Sequence, residues 1–502
     1  MRSPYVVALL LILMLPLSAA FHVVPLKRDN PAFSPIQQPA SENPFVTLFP
    51  ISKSPSPFVL YPSNDSVWIA AIATGSTSVS SQILRFFLNG TVEKPVPFLA
   101  NLVVNSIVVD PVLGRAWFPE NNTLAYYDPH TMQLGNATTF ANMSPQYIAL
   151  DSSDKLWLSI VGAGGQSSIA MYNPLDPQAK PTIYPVPTPN AAVQGIAVAP
   201  DGMIWFAETV AKKLARLDPA SSTITEYSSP ITLVAPIQVA IDTSGIVWFT
   251  DHGDNEFGWF NPQTNEWKTL PIGYCQNNCA YGLPNAIFVN HGEIWFSEHI
   301  AGRIGRYNPN SGLLTEYVIP SSSSPLSWWA EPGPDNLVWF TALGLGEIGY
   351  VNASIPVPLG INSVLADVVV QRGGYQRVQV IVSSTDSRSF SLNSSATTQD
   401  YSGFYTPQVY SSSQSEIASS KPYSTSIVVF AAWNATMGPR IVALTAFDGQ
   451  VTVNAFVRVT VVDSSAPYVT VGFASVITFG ILVLYAKRPR KPEAKPVRRV
   501  RK

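Results

Sequence analysis

The chain repeats itself with a period of 40 to 49 residues, and no other feature narrows its fold as much. The unit is clearest at Ile196, where IAVAPDGMIWFAE is followed by KLARLDP and TITEYSSP. It returns as VAIDTSGIVWFTD, FGWFNP and EWKTLPI, and again as IFVNHGEIWFSE, RIGRYNP and LLTEYVIP. With the Trp of the second run as marker, seven units fall at Trp68, Trp117, Trp157, Trp205, Trp248, Trp295 and Trp339. Each holds four short β-type runs, broken by Asp-Gly, Ser-Gly or His-Gly turns and by Asp-Pro or Asn-Pro corners. Four radially arranged strands make a propeller blade, so residues 45–353 are expected to form a seven-bladed β-propeller. The seventh unit ends at IGYVNA without a fourth run, while FVTLFPI at 45–51 stands alone before the first. That N-terminal strand is expected to complete blade 7, closing the ring without an open sheet edge.

Beyond residue 353 the period stops and the runs lengthen. VLADVVV, RVQVIV, TSIVVFAAW, RIVALTAF and QVTVNAFVRVTVV alternate apolar and polar residues, with Asp448-Gly449 as a hairpin turn between the last two. Residues 354–463 are therefore expected to form an immunoglobulin-like β-sandwich, and the described fold class is all-β. A stretch this close to a membrane segment reads as a spacer.

The termini place the protein. Residues 1–20 open with Arg2, run apolar from Val6 to Leu17 and end in Ser18-Ala19-Ala20, the order of a cleaved secretory signal peptide. An uncleaved anchor is the other reading, and an apolar run this short spans a bilayer poorly. Residues 467–486, PYVTVGFASVITFGILVLYA, contain no charge and are long enough for one transmembrane helix. The tail at 487–502 carries nine Lys and Arg against the single acid Glu493, so a cytoplasmic C-terminus is expected, with the preceding domains outside a cell membrane crossed once.

Between signal and span, twenty Lys and Arg face thirty-one Asp and Glu, which argues against a nucleic-acid partner. Asn-x-Ser/Thr sequons at Asn64, Asn89, Asn121, Asn136, Asn142, Asn352, Asn393 and Asn434 all lie in this outer segment and suit a glycoprotein. Cys275 and Cys279 are the only cysteines. An exported compartment favours a disulfide closing this small loop, and a soft metal site needs more ligands than these two.

The G-x-[IL]-W-F-[ATS]-E signature with I-G-R-Y-N-P downstream resembles the propeller repeats of the streptogramin lyases, the virginiamycin B lyase family. The likeness runs from about Phe45 to Asn352 and is strongest in blades 4 to 6. It implies magnesium held by acids, one at the W-F-x-E position, with a His base in an E-x-H-G-I context on the preceding strand. Glu208, Asp251 and Glu298 match the acid. The His position is instead read as Gln194, Gln238 and Asn285, and the Glu before it as Ala192, Pro236 and Leu283. An amide cannot abstract a proton at neutral pH, which argues against eliminative ring opening by that route.

From the residues themselves, Glu208, Asp251 and Glu298 occupy one position in three adjacent blades and are expected to converge at one end of the channel. There they could hold Ca²⁺ or Mg²⁺, or else cap backbone N–H groups at strand ends. His252 and His299 directly follow two of these acids and are candidate bases; as neighbours of inward residues they could equally face solvent. The Trp-Phe pair recurs in the blades as packing, whereas Trp328-Trp329 falls outside that register and is a candidate for ligand stacking.

No nucleophile elbow, phosphate loop, zinc signature or nucleotide fingerprint occurs. The sequence points to a cell-surface binding or interaction protein with an extracellular ligand or surface protein as partner. The alternative is a divalent-metal-dependent lyase or lactonase-type enzyme. The enzyme requires His252 or His299 to point inward beside the acids.

Overall fold

Each repeat folds into one antiparallel sheet because its four β-type runs are short and separated by tight turns. Blade 4 is typical, with strands Val193–Val198, Ile204–Glu208, Lys213–Asp218 and Thr223–Ser228 in spatial order. The computed structural model describes residues 43–463 except 75–78, 95, 97–98, 101, 179, 274–281, 365, 387, 396–408, 412–413 and 419–421. The signal peptide, the 467–486 stretch, the basic tail and the Cys275 and Cys279 loop all lie outside the described residues. Among the described residues no helix is long and apolar enough to cross a membrane.

Among the described residues, seven such sheets follow one another in chain order. Blade 1 adds a short strand, Leu99–Ala100. The strand Val46–Pro50 pairs antiparallel with Glu347–Asn352, so the first described strand completes blade 7. This joins the two ends of the ring, and Thr341 of blade 7 donates to the Phe58 carbonyl of blade 1 at 3.2 Å.

The recurring Trp-Phe pairs fill the space between blades. Trp205 of blade 4 packs in one cluster with Phe249 and Phe260 of blade 5. The indole N–H groups of Trp117, Trp157 and Trp248 are each taken by a turn aspartate, Asp110, Asp151 and Asp242, at 2.7 to 2.9 Å. In these three blades the Trp buries its ring without orphaning its donor, whereas the indole N–H of Trp295 in blade 6 is buried unmatched.

A second repeating device is a hydroxyl one residue after the Phe. Thr250, Ser297 and Thr341 each accept the backbone N–H of Gln238, Ala286 or Trp329 in their own blade. Each also donates to the next blade, at the carbonyls of Asn285, Trp328 and Phe58. The inner strands shift register at this point, as between Val193 and Ile196, Pro236 and Val239, and Pro284 and Ile287. A bulge frees backbone groups and re-aims side chains, and the hydroxyl re-satisfies them across the blade boundary.

Residues 359–462 form two facing sheets around a shared core that includes Ile361, Val380, Ile427, Leu444 and Val459. This domain is not a detached spacer. Its longest strand, Val451–Val462, pairs antiparallel with Leu313–Val318, the outer strand of blade 6, from Leu314 opposite Asn454 to Tyr317 opposite Val451. Blade 6 and one face of the second domain are one nine-stranded sheet. An outer blade strand is an unpaired edge, and here the neighbouring domain covers it. Asn393, one of the sequons, sits buried in the strand Arg388–Ser395, which removes it as an acceptor in the folded protein.

Candidate site at the channel mouth of blades 4 to 7

The second strand of each blade ends where the inner strand begins, and the register brings the acids to equivalent places there. Val193 lies opposite Glu208, Pro236 opposite Asp251 and Pro284 opposite Glu298. Glu120 in WFPE occupies the same position in blade 2, and the W-F-x-E pattern marked it in the sequence.

The acids do not form one ligand set. Asp251 accepts the backbone N–H groups of Val234 at 2.8 Å and Ala235 at 2.6 Å, which is the strand-end cap. Burial raises its pKa to about 6 against the pull of those two donors. Glu298 is gripped through one oxygen by Arg303, from Nε at 2.9 Å and Nη2 at 2.7 Å. Burial lifts it well above the ordinary carboxylate range, Arg303 opposes the shift and Glu316 adds to it. Glu208 is fully buried, and neither of its oxygens has a partner. Its cross-strand neighbour Lys213 turns to Glu226 at 2.7 Å, and burial, then repulsion from Glu226, raise Glu208 to about 7. Among the described residues, no three His, Cys, Asp or Glu side chains are grouped to hold one metal ion. The partners of Asp251 and Glu298 lie in their own blades, and the cation facing Glu208 is held by Glu226.

The amides require a correction of register. Gln194 precedes by two residues Ile196, which faces Phe206, and Asn285 stands likewise before Ile287 and Phe296. Gln238 precedes by only one residue Val239, which faces Phe249, so it matches Gly195 and Ile237 takes the Gln194 place. The three inner strands carry the same bulge, so their residues correspond one for one. Gln238 reaches across to blade 4 so closely that a Cβ on Gly195 would collide with its Oε1. Asn285 donates to the Trp328 carbonyl at 2.7 Å. Its Oδ1, the Gln238 Nε2 and the Ser327 Oγ are buried without partners.

The histidines part ways. His252 stands where blade 4 has Thr209, and both reach the next inner strand: Thr209 Oγ1 donates to the Pro236 carbonyl at 2.7 Å and His252 Nδ1 to that of Pro284 at 3.0 Å. His252 is thus a blade-to-blade tie, and burial lowers its pKa to about 4. His299 stacks on His252 with centroids 6.0 Å apart and meets the Trp328 ring edge-on at 4.7 Å. Its Nδ1 has no partner, and burial, then His252, lower its pKa to about 3. Both rings are neutral at pH 7.

Trp328 and Trp329 are both buried, not open platforms. Trp328 stacks on Phe58 at 5.2 Å, and Trp329 stacks on Tyr147 of blade 3 at 6.2 Å while donating to Glu331. A contact from blade 7 to blade 3 crosses the axis, so this pair plugs the channel. Ala192, Leu283 and Leu326, at one equivalent loop position in blades 4, 6 and 7, each adopt a φ of 52°. Non-glycine residues hold that conformation only where surrounding structure enforces it, commonly at functional sites.

Behind Glu298 lies a buried network that sequence reasoning missed. Arg303 Nη1 also reaches Glu316 at 3.3 Å, and Glu316 accepts the Gly273 backbone N–H at 2.6 Å. From the second domain, Thr452 and Asn454 both donate to Glu316 Oε2, Asn454 at 3.0 Å. The alternation of the last strand hid this signal, because Thr452 and Asn454 read as a solvent face until blade 6 is laid against them.

This is a β-propeller built of streptogramin lyase-like repeats. The Virginiamycin B lyase family matches residues 133–272. Among solved structures, a streptogramin B lyase is 22% identical with a TM-score of 0.50, covering 61% of this chain and 97% of its own. Virginiamycin B lyase from Staphylococcus aureus is 20% identical with a TM-score of 0.50, covering 61% of this chain and 98% of its own. A catalytically inactive variant of that enzyme, solved with quinupristin, matches to the same extent, at 20% identity and a TM-score of 0.50. At such identities the likeness is one of fold. No curated protein matches the chain.

Proposed function

We propose that this protein is a binding module of the cell surface, anchored by the 467–486 span after loss of residues 1–20, whose propeller takes a ligand at the mouth of blades 4 to 7. The 354–463 domain is read as immunoglobulin-like. The observation that carries the reading is the set of buried polar atoms left unmatched at one mouth: Gln238 Nε2, Asn285 Oδ1, His299 Nδ1 and Ser327 Oγ. Unpaired buried polar groups are costly, and a ligand that pairs them recovers that cost. These four groups are uncharged and mix donors with acceptors, and the unmatched Glu208 carboxyl beside them is raised by burial to about 7, which suits a partner bearing amides or hydroxyls. A lyase with a histidine base needs an imidazole whose pKa lies near the working pH, and neither imidazole has one; of the mouth groups only Glu208, raised by burial to about 7, has such a value. No part of this reading calls on Ca²⁺ or Mg²⁺.

The test compares full-length protein in detergent with the near-isosteric double variant Gln238→Met, His299→Phe, each used to capture surface material from native membranes. Species retained by the parent and lost by a variant of equal melting temperature are expected. Equal capture by both contradicts the site, and ring-opened quinupristin recovered after incubation with the parent and Mg²⁺ restores the lyase.

A further inference from the structure

Four strand ends meet at the far tip of the second domain, where the described chain stops. Val451–Val462 finishes there, Tyr375–Ser384 begins, Tyr423–Ala431 finishes and Gly438–Phe447 begins. The Arg372 backbone N–H donates to the Val462 carbonyl at 3.0 Å, and its Nε donates to the Ala435 carbonyl at 2.7 Å, which ties the two tip loops together. On these loops three large apolar side chains face outward: Trp433 at 75% exposure, Tyr375 at 64% and Met437 at 54%. Trp433 is not loose. Gly373, with a φ of 69°, lies so close under the indole that a Cβ there would collide with it. A backbone turn that only glycine accommodates well is thus used to seat a ring whose other side is bare.

The charges at the tip are Arg372, Arg377 and Arg440 against Asp463, a basic cap on an outer segment that is acidic as a whole. Four residues past Asp463, at Pro467, begins the 20-residue uncharged stretch. So short a connection cannot carry the tip far from whatever that stretch enters, because an extended residue spans roughly 3.5 Å. Trp is favoured where an apolar ring meets headgroups, and arginines suit anionic lipid.

We propose that the 372–375 and 432–438 loops rest on the bilayer, with Trp433, Met437 and Tyr375 in its interface and the arginines among the headgroups. This rests on reading 467–486 as a span. It makes the second domain a foot that fixes the orientation of the propeller.

The test places a spin label at Trp433→Cys, and in separate samples at Val112→Cys and Gly480→Cys, in full-length protein reconstituted into vesicles of phosphatidylcholine and phosphatidylglycerol. A several-fold higher ratio of oxygen to nickel-chelate collisions is expected at 433 than at 112, an exposed blade 2 position. A water-like ratio at 433 with a lipid-like ratio at 480 overturns the docking alone. A water-like ratio at 480 overturns the span and the docking with it. Shielding of 433 from both agents with spin–spin broadening assigns the tip to a second copy, and a glycan found on Asn434 also overturns the proposal.

Discussion

Blades 4 and 6 carry the same three charges in the same register and treat them differently. Glu208 faces Lys213, and Glu226 lies on the next strand; Glu298 faces Arg303, and Glu316 lies on the next strand. Each set has one acid more than its cation can match. In blade 4 the compact ammonium of Lys213 sits with Glu226 and Thr188, leaving Glu208 without a partner. In blade 6 the guanidinium fork of Arg303 reaches both acids, as a planar multi-donor group can. The cover differs too. Lys213 and Glu226 retain some exposure, whereas Arg303 and Glu316 lie under the strand Val451–Val462 of the second domain. The mouth acid of blade 4 is therefore tuned close to neutrality, while that of blade 6 is built into the joint between domains.

The largest expected effect tests the joint. Arg303→Leu leaves Glu298 and Glu316 buried without their cation, and breaking such a set costs about 3 to 5 kcal/mol. Urea unfolding measures it; a loss below about 1 kcal/mol, the level of an exposed pair, would break the contrast between the blades.

A smaller effect sharpens it. Asn454→Ala removes one donor from Glu316 and is expected to cost about 1 to 3 kcal/mol. In a Glu316→Gln background that cost should shrink, since contacting residues do not add. An identical cost in both backgrounds would mean that Asn454 serves only its other partners, the Leu314 carbonyl and Thr445.

The ring was legible because its signals are local. Trp-Phe pairs, turn residues and the orphan run at 45–51 each report on neighbours within one repeat, and Val46–Pro50 pairs with blade 7 as that run implies. The site was legible in position and not in chemistry. W-F-x-E located Glu208, Asp251 and Glu298 at equivalent strand ends, but whether an acid is capped, paired or orphaned depends on Val234, Arg303 or Lys213. Gln238 was placed one residue off, because blades 4, 5 and 6 share the same bulge and aligning them on Ile196, Val239 and Ile287 sets Gln238 beside Gly195 and not beside Gln194. His252 looked like chemistry because His is scarce here; its structural counterpart Thr209 reveals a tie between blades. The joint with the second domain was hidden because edge pairing between distant strands leaves no trace in either repeat.

The most direct test of the account is the pH dependence of stability around Glu208. Folding raises its pKa from the ordinary 4.5 to about 7, so the folded protein holds a proton that the unfolded chain releases over that range. Its contribution is complete below the unfolded value and is lost as the pH climbs through the folded one. Glu208→Gln cannot titrate. The melting temperatures of parent and variant should therefore lie close at pH 5 and separate by pH 8, with the variant the more stable. For Glu298→Gln the separation should not level off near pH 7 but keep growing above it, because its carboxyl is shifted further by fuller burial and Glu316. Parallel curves for parent and Glu208→Gln from pH 5 to 8 would mean that Glu208 is matched in solution, and would contradict the contrast between the two blades.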